Sequence, residues 1–72
     1  MERTKVRIPK DVLEGLEAVR LSGKTNMLDV PRVIEIALEM GHTETAFWVY
    51  ENRRLYATGI FQGFVTNEGG DE

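Results

Sequence analysis

The chain has 72 residues, 42% of them hydrophobic and 29% charged, with a formal net charge of −3 and no cysteine. Its length suits one small domain, and its composition excludes disulfides and thiolate metal sites. His42 is the lone histidine, so an all-histidine metal site is excluded as well, and no apolar run is long enough to span a bilayer.

The charge is unevenly spread. Arg3, Lys5, Arg7 and Lys10 outweigh Glu2 to give +3 over residues 1–10, whereas Glu68, Asp71 and Glu72 give −3 over residues 67–72. A mildly acidic body between them does not favour nucleic acid by default, but a basic arm can still reach one. MERTKVRIPKD lacks an apolar signal core, so a cytoplasmic location is expected. The expected organisation is a basic N-terminal arm over 1–8, a helical domain over 9–64 and a disordered acidic tail over 65–72.

Thr4 to Ile8 alternates polar or basic residues with apolar ones, a short strand pattern. Pro9 suits a first helical turn, and a helix is expected from Pro9 to Leu21, with Val12, Leu16 and Val19 on one face. Gly23 then stops it. This glycine also completes a loose phosphate-loop match, AVRLSGKT, from Ala18 to Thr25. A working phosphate loop leaves a buried strand and opens a helix, and here a helical stripe precedes the glycine. The nucleotide reading is therefore rejected.

Asp29 is the expected N-cap of a second helix, Val30 to Met40, with Pro31 in its first turn. That helix is apolar on most sides and should be the central, most buried one. Gly41 ends it. Thr43 is expected to cap a third, aromatic helix containing Phe47, Trp48 and Tyr50, and Asn52 to cap a fourth, Arg53 to Gln62. Tyr56, Ile60 and Phe64 make an i, i+4, i+8 stripe, while Gly59 and Gly63, four apart, allow another backbone to approach closely, or Gly63 ends the helix. The fold class is all-α: a bundle of three to four short helices behind a short N-terminal strand, dimeric.

Phe47, Trp48 and Tyr50 cannot all face one core, because neighbouring helix positions diverge by about 100°. An exposed aromatic beside Arg53 and Arg54 makes a binding hot spot, since Trp, Tyr and Arg dominate such patches. The expected protein-binding residues are Trp48, Arg53 and Arg54, with Arg32 added. No catalytic residues are assigned. Glu14 with Glu17, and Glu35 with Glu39, read as solvent-facing helix neighbours, and His42 as a junction residue. No cofactor or metal is expected.

The alternative site is the arm. Arg3, Lys5 and Arg7 share one face of the strand pattern, and Thr4, Val6 and Ile8 share the other. With two helices following, and RVIEIALEM in the second, this part resembles the ribbon-helix-helix repressors. That resemblance implies paired strands from two chains, with Arg3, Lys5 and Arg7 in the major groove of DNA. The connector KTNMLDVP is longer than that family's turn, and the Trp-containing C-terminal third has no counterpart there. Ile34 to Tyr50, with Ala37 and Gly41 four apart, also matches helix-turn-helix spacing, but TETAFWVYE offers aromatics and two glutamates where basic groups should meet DNA.

AVRLSGKTNMLD, the apolar helix ending in Met40-Gly41, Trp48, Glu51, Tyr56, Ile60 and Gly63 carry a further resemblance. Over Val12 to Phe64 the chain resembles an uncharacterised family of short phage and prophage proteins, a domain of unknown function. The resemblance implies an accessory phage protein that binds a host protein, antiviral defence components included, or regulates genes. The expected function is therefore protein binding without catalysis, with a dimeric DNA-binding regulator as the alternative.

Overall fold

In the computed structural model, which describes residues 4–66, the chain runs β1 (Val6–Ile8), α1 (Lys10–Ser22), α2 (Val30–Glu39), α3 (Thr43–Glu51), α4 (Arg53–Gln62) and β2 (Phe64–Thr66). The four-helix body is closed by its own ends. β1 and β2 pair in parallel, with Val6 opposite Phe64, Arg7 opposite Val65 and Ile8 opposite Thr66. The expected helical bundle with a short N-terminal strand is what forms, and the second strand is new. Val65 and Thr66, assigned above to the tail, belong to β2, while residues 67–72 and Arg3 lie outside the described residues.

α1 forms because Val12, Leu16 and Val19 recur at helical spacing and are buried along one face. Pro9 provides an extended N-cap, and Gly23 ends the helix in the left-handed region at φ +69°, its N–H donating to the Arg20 carbonyl. Ser22 closes the same turn, its hydroxyl donating to the Val19 carbonyl and accepting from the Lys24 N–H. No helix opens until Val30. Gly23-Lys24-Thr25 thus follows a helix and leads into a loop, the reverse of what phosphate binding requires.

In α2, Asp29 is the N-cap and accepts from the Arg32 N–H, with Pro31 in the first turn. The expectation that α2 is buried most of the way round needs correction. Val33, Ile36 and Ala37 are buried, but Leu38 is 50% exposed and Met40 39% exposed. A ten-residue helix covered from one side has only one stripe to bury, and Leu38 falls about 100° away from it.

α3 packs against α1, α2 and α4, so it is the more central helix. Its inward residues, Thr45, Ala46 and Val49, are small and essentially inaccessible. Thr45 is a fully buried polar side chain, and its hydroxyl lies 3.3 Å from the Val12 carbonyl. A Cβ added at Gly15 would fall inside the Thr45 side chain, so α1 and α3 approach this closely only through glycine. His42, rather than Thr43, is the N-cap of α3, and it makes no side-chain cap bond.

Asn52 is the N-cap of α4 as expected, but its amide donates back to the Trp48 carbonyl instead of capping the new helix. Gly63, at φ +103° and ψ 159°, turns the chain from helix to strand. Phe64 therefore leaves the helical stripe, and its ring packs where a Cβ on Gly59 would lie. Tyr56, fully buried, donates its hydroxyl to the Met27 carbonyl and pins the α1–α2 connector to α4. Burial pushes the Tyr56 pKa up to about 12.

Candidate interaction surface

The small inward residues of α3 decide which aromatics remain outside. With Thr45, Ala46 and Val49 turned to the core, Phe47 and Tyr50 (i, i+3 neighbours) fall on the opposite side. Phe47 is 58% exposed and Tyr50 63%. Arg53, at the start of α4, holds its guanidinium 5.6 Å from the centre of the Tyr50 ring, within cation–π range. Arg54 is exposed beside it, and neither arginine forms a salt bridge among the described residues.

Trp48 is placed differently from the expected site. It is half-buried and packs edge-on against Phe64, with ring centroids 6.3 Å apart and planes at 81°. Tyr56 lies on that same Phe64, at 6.1 Å between centroids. Trp48 therefore joins α3 to α4 and β2 through an aromatic cluster, and Phe47 and Tyr50 are the aromatics presented to solvent. Of the three aromatics expected not to share one core, two are outside. What would have selected between them is the run of small residues at 45, 46 and 49, which marks the inward face.

Arg32 is not brought to this surface. Its guanidinium bonds to Glu35 at 2.6 Å and lies 3.9 Å from Glu39, and hydrogen bonding to Glu35 raises its pKa. It lines a shallow groove with Asp29, Pro31, Ile34, Glu35 and Leu38, all from α2 and its cap. Glu35 and Glu39 thus serve one arginine, and Glu17 likewise pairs with Arg20 on the exposed side of α1. Exposed pairs of this kind contribute little to stability.

Of the basic arm, Lys5 and Arg7 are described, and both are exposed. Arg7 sits between the buried Val6 and Ile8, so the alternation expected from the sequence is realised. The Lys5 aliphatic stem runs close to Gly63, 3.6 Å from where a Cβ would be. In the helix-turn-helix reading, the second helix would be α3, which presents Glu44, Phe47, Tyr50 and Glu51 outward and no basic side chain. Among the described residues no group of three or more His, Cys, Asp or Glu side chains is placed to hold a metal ion. No described helix is long and apolar enough to cross a membrane.

A family model described as a domain of unknown function (DUF5049) matches residues 9–64, from the N-cap of α1 to the first residue of β2. No curated protein and no solved structure matches the chain. The matched stretch contains the whole helical body, including Phe47, Tyr50, Arg53 and Arg54, and leaves β1 with Lys5 and Arg7 outside it. By that match the chain belongs to the DUF5049 family of domains of unknown function.

Proposed function

We propose that this protein is a non-catalytic binding module that engages another protein through Phe47, Tyr50, Arg53 and Arg54. The observation that carries the reading is the exposed aromatic pair on α3 with Arg53 stacked on Tyr50. Large apolar rings on a well-packed helix lose little conformational entropy on binding, and arginine adds directional hydrogen bonds at the rim. The resemblance to short phage proteins supports a host protein as the target, an antiviral defence component among the candidates, met in the cytoplasm of an infected cell. Trp48 supports the surface from beneath by fixing α3 against Phe64.

The test is to compare the proteins retained from host lysate by the wild-type chain and by Phe47→Ser, Tyr50→Ser and Arg53→Glu. The reading expects a discrete retained species that all three substitutions remove while helical content stays unchanged. Retention of the same species by all three variants would end it.

A second reading rests on a different observation. Lys5 and Arg7 project from the same exposed face of an extended segment, as side chains reading a DNA groove would. In that case the protein is a dimeric DNA-binding regulator. Its signature is a duplex shift that weakens steeply with added salt and is lost in a Lys5→Ala, Arg7→Ala double variant.

A further inference from the structure

β1 has two edges, and among the described residues only one is paired. The Val6 N–H donates to the Gly63 carbonyl at 2.9 Å, and residues 6 to 8 run parallel to 64 to 66 in register. In a parallel ladder, alternate residues turn both backbone groups the same way. Val6 and Ile8 therefore direct theirs at β2, while Arg7 directs its N–H and C=O to the opposite edge. No hydrogen bond to the Arg7 backbone is made among the described residues. Lys5 lies two residues earlier, in the same phase. The side chains alternate likewise: Val6 and Ile8 are buried, and Lys5 and Arg7 are exposed.

We infer that the outer edge of β1 receives an extended acidic segment of a partner protein as a third strand. The Arg7 N–H and C=O supply the main-chain bonds, with Lys5 continuing the edge. Carboxylates at alternate positions of the incoming strand lie across from the Lys5 and Arg7 side chains. Charge selects this occupant over a second copy of the chain. When two β1 strands pair antiparallel about a two-fold axis, the residues facing the shared edge meet as Arg7 with Arg7, Lys5 with Arg7, or Lys5 with Lys5. Each register sets like charges directly opposite, which is unfavourable. An acidic strand reverses the sign at both positions. This edge is distinct from the Phe47–Tyr50 surface and stands or falls separately.

The test uses a capped eight-residue peptide alternating Glu with Val, beside a counterpart alternating Lys with Val. Binding is followed by calorimetry and by amide hydrogen exchange at about 0.15 M ionic strength. The acidic peptide is expected to bind, the basic one not, and exchange at the Arg7 amide to slow by roughly tenfold or more. Arg7→Gln keeps the backbone and should weaken binding by about threefold to tenfold. Arg7→Pro removes the outward N–H, which an edge strand tolerates, and should abolish binding. A chain synthesised with N-methyl arginine at position 7 removes the same donor and retains the charge, and should also fail to bind. The inference is overturned if the two peptides bind equally or not at all, or if the Arg7 amide is unaffected by binding. It is also overturned if the N-methylated chain binds normally. Arg7-dependent doubling of mass, or binding of a duplex oligonucleotide in place of the acidic peptide, would assign the edge to another occupant.

Discussion

The two faces of α3 place bulk where packing does not use it. Inward are Thr45, Ala46 and Val49, all small and closed to water; outward are Phe47 and Tyr50, both large and more than half exposed. The inward face is small because α1 and α2 both press on it, with Gly15 of α1 against Thr45. The outward face has no such constraint from within the described chain. Other apolar side chains are also exposed, Leu21 and Phe61 among them, and scattered cases are ordinary. Phe47 and Tyr50 differ in being adjacent on one helix with an arginine stacked on one of them. The inward face sets stability and the outward face is free of that constraint, so under the proposed function substitutions on the two should have separable effects.

The sharpest break is expected at the inward seam. Gly15→Ala forces a methyl into the Thr45 side chain, whose own Cβ would lie only 2.7 Å away and cannot swing aside. Destabilisation of about 3 kcal/mol is expected despite the better helix propensity of alanine, and urea denaturation measures it. In a chain this short, that is a large share of the total stability.

Tyr56 gives the next largest effect, and it depends on pH. Burial raises its pKa to about 12 from the ordinary tyrosine value of 10.0, so the folded chain holds a proton that the unfolded chain releases. The associated stability is fully present below pH 10 and is lost as pH rises towards about 12, by roughly 2 kcal/mol. Denaturation midpoints across that range should fall for the wild type, and much less for Tyr56→Phe. At neutral pH the same substitution leaves the Met27 carbonyl without its donor and should cost about 1–2 kcal/mol.

Gly59→Ala acts on the aromatic cluster instead of a helix seam. The new methyl meets the far edge of the Phe64 ring, which can rotate away at the expense of its contacts with Trp48 and Tyr56. About 1–2 kcal/mol of destabilisation is expected, together with a change in Trp48 fluorescence that Gly15→Ala should not produce at low denaturant. Smallest of all, Phe47→Ser should shift the unfolding midpoint by no more than about 0.5 kcal/mol in either direction.

Much of the helical body is legible in the sequence. Arg53 and Gln62 bound α4 as expected, Asp29 caps α2, and Gly23 closes α1, because apolar periodicity and capping chemistry are local signals. β2 was not readable. Phe64 continues the four-residue spacing of Tyr56 and Ile60, and only the conformation of Gly63 breaks the helix before it. Its partner β1 lies at the other end of the chain, and no periodicity reports a pairing between ends. The candidate site was legible in part. Arg53 lies over the Tyr50 ring and Arg54 is exposed, but Trp48 packs against Phe64, a residue whose position depended on the unforeseen strand. Arg32 was drawn off by Glu35 on its own helix, a pairing that i, i+3 spacing already announces, with Glu39 two turns on lying 3.9 Å away.

The separation of the two faces is tested most directly by one double variant, Phe47→Ser with Tyr50→Ser, measured side by side for unfolding midpoint and for retention of host-lysate proteins. The account predicts a midpoint within about 0.5 kcal/mol of wild type and loss of the retained species. A variant that unfolds readily, or that keeps its full set of retained proteins, would contradict it.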